Sequence, residues 1–446
     1  MTRLLKFGLA LLMAGSMWYY FHAVLIPHQR KQAILHEAPL TPTQGDLFPR
    51  WLGTRELLLN GRDPYGPEVT REIQTAIYGE PLDGSRRDLP KDEQRFAYPA
   101  YVVFLLAPTI TMPFPVLRYV FRLLLIVLTA ASVPLWIRAL RLELERTTTA
   151  IITLLMLGSF PIIQGLYLQQ LTLLVCFLIA ASSAALASER PVLAGLLLAI
   201  ATIKPQIAVA LVAWFGLWAL GDWTHRKRFL WTFACGVALL WLGAEWILPG
   251  WFGRWWVAMH AYLGYNDTRS LLETLLGRYA GLLVSVLIAA GIALLCWRLR
   301  RAPAGSSAFS TCLVSALAAS LLIKPKFPLY DVAMLLPAAL WLFSCRKVLW
   351  ERSRPVRLLL LTASLLVGWQ WFSAAALAVI SLVSPSAAQH GWFLPVATMF
   401  PLPLGISYLL AVLAADMWKI GAVSVTASSA GHSELVAMPA LGDAGR

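Results

Sequence analysis

The sequence predicts an all-α protein that crosses a lipid bilayer many times, and three observations carry that reading. The first is composition: of 446 residues, 59% are hydrophobic and 13% charged, with 19 Trp and a mean hydropathy of +0.67. A soluble globule of this length needs more polar surface. The second is run length: apolar stretches of about 18 residues or more recur, enough to cross a hydrocarbon core of about 30 Å. Backbone groups in hydrocarbon must bond within their own segment, so these stretches are helices. The third is the placing of Lys and Arg in short loops, which sets orientation in the membrane. That placing accounts for the net charge of +14 without invoking nucleic acid.

Taken in order, the first span runs over 4–25; its basic start and apolar core resemble a signal peptide, but MWYYFH (Met17 to His22) offers no small-residue cleavage site. Residues 26–97 then form a long polar loop, with an amphipathic helix at Phe48–Leu59 that places Trp51, Leu52, Leu58 and Leu59 on one side, as surface helices do. Pro64 and Pro67 stop it in the turn GRDPYGPE. Gly79–Lys91 reads as an exposed excursion. Ala100–Met112 is apolar, short and broken by Pro108, Pro113 and Pro115, the pattern of a short or re-entrant helix.

Spans follow at Phe114–Leu140, Thr147–Gly165, Tyr167–Ala187, Val192–Ile203, Gln206–Leu220, Phe229–Leu248, Tyr279–Trp297, Ala308–Ile323, Leu329–Phe343, Leu358–Leu382 and Phe400–Trp418. The expected total is about eleven to thirteen. The membrane domain is 1–420, and 421–446, small, polar and patternless, reads as a disordered cytoplasmic tail. Basic loops at Arg138–Arg146, Arg226–Arg228, Arg298–Arg301 and Arg346–Arg357 share one side, cytoplasmic by the positive-inside rule. The 46–101 segment, 164–170, the Lys204 tip, 249–278 and the Lys324–Pro328 tip then face outside, provided one segment near Ala100–Arg122 fails to cross.

The charges outside this pattern are the candidate site. Two Lys-Pro pairs, Lys204-Pro205 and Lys324-Pro325, end short apolar runs on the outer side, and Lys326 adds a third cation. A single such lysine reads as a snorkelling side chain; two on the face that normally excludes lysine suit a phosphate. Asp46 alone reads as the N-cap of the next helix, yet it lies on the side to which the lysine tips point. Gln164, Gln169, Gln170 and Thr172 satisfy one another or bind sugar hydroxyls, and Tyr330 and Asp331 form an ion-pair site or a catalytic one. Arg50 and Arg55 face either a phosphate or lipid headgroups. The loop His260–Ser270 is polar and aromatic, the make-up of sugar sites and of ordinary interface loops alike; no histidines pair at metal-ligand spacing, and the five cysteines lie in or at the ends of apolar runs. No metal and no cofactor is expected.

In chain order, GDLFPRWLGTRELLLNGRDPYGPE, AYPAYVVFLLAP, QQLTLL, RPVLAGLLLAIATIKPQ and KFPLYDVAMLLP resemble glycosyltransferase family 87, over about Asp46 to Pro337. These are mannosyltransferase-like enzymes of the GT-C fold that depend on polyprenol-phosphate sugars. The resemblance implies an inverting, metal-independent transferase of the bacterial inner membrane with its site on the outer face. It implies a polyprenyl-phosphate-linked sugar donor, a lipid or glycan acceptor, and Asp46 as base. Gly61–Tyr65, which contains Asp63 and Tyr65, Tyr98-Pro99 and Lys204-Pro205 match family segments. Lys204, Lys324, Lys326 and Arg50 are then expected at the donor phosphate; Asp63, Tyr65, Tyr98, Gln170, Tyr330 and Asp331 at the sugar or acceptor. The chain departs where the family often has Gly-Gln-x-Asn, here Gln169-Gln170-Leu171-Thr172, and at Tyr330-Asp331, where some members carry a histidine-containing segment. Both departures fall on sugar and acceptor recognition. The rival readings are a lipid-sugar flippase or transporter, whose charges belong near the midplane, and a non-catalytic assembly subunit, which tolerates replacement of Asp46.

Overall fold

In the computed structural model, residues 2–35, 44–83, 92–265 and 268–429 are described, and among them there is no strand. The chain opens with α1 (Arg3–Tyr19), a π-helical turn (Tyr20–Leu25) and α2 (Ile26–Leu35), together one helix from Arg3 to Leu35. The polar loop therefore begins ten residues later than the composition suggests. The wide turn directly precedes Pro27, which has no N–H to give and whose ring needs room in the helix.

Next come α3 (Leu47–Asn60), α4 (Pro67–Tyr78), α5 (Val102–Leu106) with a 3₁₀ turn at Ala107–Thr109, and α6 (Phe114–Ala139). The expected amphipathic helix exists as α3, but it is packed against α4 and α5, with Leu47, Phe48, Trp51, Leu52 and Leu57 buried and Leu59 exposed. Pro67 starts a helix rather than only ending one, because at the first helical position its missing N–H costs nothing. In α4 the apolar stripe Val69, Ile73, Ile77 turns inward at four-residue spacing. The excursion expected at 79–91 lies, for 84–91, outside the described residues. α5, at five residues, is far too short to cross a membrane.

The chain continues with α7 (Arg146–Leu157), α8 (Phe160–Tyr167), α9 (Leu171–Ala187), α10 (Pro191–Ala201), α11 (Pro205–Leu220) and α12 (Trp223–Ile247). The single span expected at Thr147–Gly165 is a pair, α7 and α8, bent by 55°. Pro161 in the first turn of α8 makes the break, and the helix over 354–383 satisfies its backbone: Gln370 Oε1 accepts from Phe160 N at 3.0 Å and Trp371 Nε1 donates to Gly158 O at 2.7 Å. The stretch 249–278, read as an outer loop, contains α13 (Trp251–Tyr265) and α14 (Leu271–Leu276).

The remaining elements are α15 (Arg278–Leu299), α16 (Ser307–Ile323), a 3₁₀ segment (Leu329–Leu335), α17 (Leu336–Ser344), α18 (Arg346–Trp350), α19 (Arg354–Val383), α20 (Pro385–His390) and α21 (Pro401–Ser429). α21 continues into the segment expected as a tail; 430–446 lie outside the described residues. α16 is central: every residue from Phe309 to Leu322 is buried, the position for a helix apolar on all sides. By contrast Leu239, Leu242 and Trp246 of α12 and Leu282, Leu283 and Val286 of α15 are exposed, an apolar belt that hydrocarbon covers.

Among the described residues six helices are long and apolar enough to cross a membrane singly, or seven spans with the bent pair as one; five apolar helices are shorter, 171–187, 191–201, 205–220, 307–323 and 329–344. A count of eleven to thirteen takes these shorter helices as crossings too. Basic loops meet at one end of the bundle. The Arg226 guanidinium donates to Trp218 O at 2.7 Å and Arg300 O at 2.8 Å and lies over the Trp218 ring. Arg138 donates to Ser188 Oγ, and Arg141 to Ala187 O. From that end α10 and α16 rise, and α9 and α11 return to it. At 11–17 residues these four extend about 16–26 Å, so their far ends stop short of the opposite face of a core about 30 Å thick.

Close packing at the α7–α8 break gives a test. A Cβ on Gly158 would lie 2.3 Å from Ala14 Cβ and 2.4 Å from Ala14 Cα in α1, whereas Gly216 in α11 has no atom within 4 Å. Gly158→Ala is expected to cost about 1–3 kcal/mol, seen as a lowered unfolding temperature in detergent. Gly216→Ala should be neutral or stabilise by up to about 1 kcal/mol. Equal effects in the two variants would contradict this packing.

Candidate functional site

The far ends of the short helices close on a cavity of ≈ 300 Å³. Its lining includes Asp46, Arg50, Tyr98, Gln170, Lys204, Lys324, Lys326, Tyr330 and Asp331, nine of the eleven residues expected from the sequence, together with Trp255, Met259 and Tyr262 of α13. Four cationic side chains thus meet two carboxylates. A larger cavity, of ≈ 760 Å³, lies among α17, α18, α19 and α21, but only Arg346, Lys347 and Glu351 carry charge in its lining.

Both Lys-Pro pairs owe their placing to the same local cause. A residue before proline is pushed out of the helical region by the proline ring. Lys204 therefore sits at the N-cap of α11 with ψ 78°, and Lys324 at the C-cap of α16 with ψ 144°. Each side chain remains buried, 5% and 7% exposed. Beyond the second tip Lys326 takes the left-handed region, φ +60°, and its Nζ donates to Tyr262 Oη at 3.1 Å.

Asp46 immediately precedes α3 but does not cap it: its side chain makes no bond to the first helical turn. Its N–H donates to Leu168 O at 2.9 Å in the gap between α8 and α9, and its Oδ2 accepts from Gln170 Nε2. Gly45 permits that approach. It has φ +70°, and a Cβ there would lie 2.3 Å from Gln169 Oε1. Burial pushes the Asp46 carboxyl above the ordinary carboxylate range, and the nearby Arg50 and Lys204 charges partly offset this.

Polar contacts run on from the carboxylate. Lys204 Nζ donates to Gln170 Oε1 at 3.3 Å and to Thr172 Oγ1; Thr172 Oγ1 donates to Asp331 Oδ1 at 3.1 Å; Lys324 Nζ pairs with Asp331 Oδ2. Lys204 also lies 5.2 Å from the Tyr330 ring centroid. Of the two readings for Asp331, the ion pair is the one its surroundings favour. Arg50 donates from NH1 to Asp46 O at 2.6 Å and lies 4.8 Å from the Tyr98 ring centroid. Its Nε is buried without a hydrogen-bond partner, while the residue lines the cavity.

Asp63 and Tyr65 are not in the cavity lining. Asp63 Oδ1 accepts from Tyr65 N, and Oδ2 accepts from Arg254 NH1 at 2.8 Å, which ties the first loop to α13. The Tyr65 hydroxyl donates to Tyr98 O at 2.6 Å, so both residues support the wall that carries Tyr98. Arg55 is exposed and lies over Trp51, and His260 Nδ1 bonds Trp256 O in its own helix. Of the α13 wall, Tyr262 falls in the polar, aromatic stretch that the sequence singles out from His260, whereas Trp255 and Met259 escaped, although the three follow one another at four- and three-residue spacing, one face of a helix. Among the described residues no three His, Cys, Asp or Glu side chains are grouped to hold a metal ion.

No curated protein matches the chain. Residues 96–325 match the model of glycosyltransferase family 87. That segment carries Tyr98, Gln170, Lys204 and Lys324; it begins after Asp46 and Arg50 and ends before Lys326 and Asp331. With just over half of its length matched, this helical membrane protein belongs to glycosyltransferase family 87.

Proposed function

We propose that the protein transfers a hexose, with mannose favoured, from a polyprenyl-phosphate-linked sugar to a lipid or glycan acceptor, with inversion. The observation that carries this reading is the Asp46 carboxylate, uncapped, beside a cavity lined by four cationic side chains. In the proposed step the acceptor hydroxyl gives its proton to Asp46 while its oxygen bonds the anomeric carbon. The bond from that carbon to the phosphate oxygen breaks, and the electron pair leaves with the lipid phosphate. In this reading Arg50, Lys204 and Lys326, which line the cavity, stabilise that charge, with Lys324 neutralised by Asp331. Sugar and acceptor contacts fall to Tyr98, Tyr330 and the α13 wall, with Asp63 and Tyr65 supporting them.

The orientation follows from the basic end of the bundle, which by the positive-inside rule is cytoplasmic. The cavity then opens toward the outer face of a bacterial inner membrane. Nucleotide sugars stay in the cytoplasm, so an outer-face transferase draws its sugar from a membrane lipid. Membership of a glycosyltransferase family also favours transfer over the flippase reading.

Asp46→Asn is expected to lower sugar transfer from a polyprenyl-phosphate sugar by about 10²–10⁴-fold, the usual worth of a general base, while donor binding persists. Unchanged transfer would move the base elsewhere, and lipid-sugar movement across vesicles without transfer would establish the flippase.

A pH profile tests the same residue in another way. Because burial raises the carboxyl's pKa, the acid limb of the rate should lie above the ordinary aspartate value of about 3.9. Arg50 favours the ionised form, so Arg50→Gln, besides lowering the rate, should move the limb to higher pH. A limb at or below the ordinary value in both proteins would contradict the assignment.

A further inference from the structure

The proposed chemistry leaves one buried group at the junction of the network without a role. Thr172, the second residue of α9, is fully buried, 0% exposed. Its hydroxyl has one proton to give and lone pairs to accept with. The proton goes to Asp331 Oδ1, at 3.1 Å, because a carboxylate can only accept; the lone pair receives Lys204 Nζ, because an ammonium can only donate. Asp331 turns its other oxygen to Lys324. Lys204 continues to Gln170 Oε1, and the Gln170 amide nitrogen donates to Asp46. A single hydroxyl thus stands between the two Lys-Pro tips, and a single lysine between that hydroxyl and the amide on the base.

We propose that Thr172 is a positioning residue, which holds the Lys204 ammonium toward the cavity as a ligand for a lipid phosphate and, through Lys204 and Gln170, sets the Asp46 carboxylate. Its kinetic consequence rests on the transfer reaction proposed above; its effect on phosphate binding does not. Valine matches threonine in shape but has no hydroxyl. With Val at 172, Asp331 loses a donor and Lys204 an acceptor, so the ammonium turns directly to Asp331 and away from both the cavity and Gln170. Serine restores the hydroxyl.

The test uses the full chain in detergent, with polyprenyl phosphate as the probe and binding followed by thermophoresis. Thr172→Val is expected to weaken binding by about tenfold and Thr172→Ser by no more than about twofold, the scale of one hydrogen bond to a charged group. In a Lys204→Met background Thr172→Val should make no further difference, an outcome that a merely structural role does not produce. In turnover Thr172→Val should raise the donor KM by more than it lowers kcat. Should the valine variant fail to fold, Thr172→Ala is compared with Thr172→Ser in the same way.

The proposal is overturned if Thr172→Val binds like the wild type, if serine is as weak as valine, or if valine weakens binding equally without Lys204. It also fails if the wild type does not bind polyprenyl phosphate at all. A wild type that binds the phosphate but transfers no sugar defeats the transferase reading alone, and the binding comparison still decides the role of Thr172.

Discussion

An ammonium group removed from water must find counter-charge and hydrogen-bond acceptors, or it loses its proton or its position. The Lys-Pro pairs impose that requirement twice, at Lys204 and Lys324, which stand at helix ends and are nearly closed off from solvent. Asp331 is the one carboxylate shared between them, in direct contact with Lys324 and joined to Lys204 through Thr172. Two cations against one anion leave positive charge facing the cavity. Asp46 takes up part of it from across the Gln170 amide. A pair this buried is weak evidence of stability. Its effect here is on geometry, since it fixes where α9, the two tips and the start of α3 must lie.

The cavity exists because several helices stop early, and each early stop leaves backbone groups to be satisfied. At the α7–α8 break the partners come from α19, through Gln370 and Trp371. Between α8 and α9 the Leu168 carbonyl is taken by the N–H of Asp46. The requirement that closes the first break structurally thus seats the catalytic candidate at the second. It also explains why a loop residue can be held accurately: Asp46 is fixed through its backbone by one break and through its side chain by the residue two positions on.

The sequence showed the membrane class, the long apolar helices after Phe114 and most of the charged cluster, because each rests on a local signal. Long apolar runs specify spans, and a proline after lysine specifies a helix end that carries a charge. Signals failed where two of them overlapped. Pro67 read as a stop, although Val69, Ile73 and Ile77 behind it mark α4. Pro161 lay hidden inside an apolar run and broke it. Asp63 and Tyr65 carried the right chemistry for a sugar, but their partners, Arg254 and the Tyr98 carbonyl, are distant in the chain, so only the fold shows that they stand behind the wall. The ambiguity of Asp46 was of the same kind. N-cap and base are identical in sequence, and the direction of the carboxylate removes the cap while the base is a proposal.

Direction also explains the residue type at 170. A base and a phosphate-binding cation that share one cavity attract each other, and a direct Asp46–Lys204 pair would hold the carboxyl's pKa down and occupy the ammonium. Both effects oppose catalysis: a weaker base takes the acceptor's proton less readily, and a cation already paired has less to offer a departing phosphate. A primary amide prevents this. Its nitrogen only donates and its oxygen only accepts, so Gln170 presents the right pole to each charge and keeps them one amide apart. Glutamate at this position would offer Asp46 no donor and would add a second negative charge beside it. Asparagine, one methylene shorter, would have to reach both partners from farther back. The neutral separator therefore leaves the Asp46 carboxyl with the raised pKa that burial gives it and keeps the Lys204 ammonium out of a direct pair with it, as the proposed reaction requires.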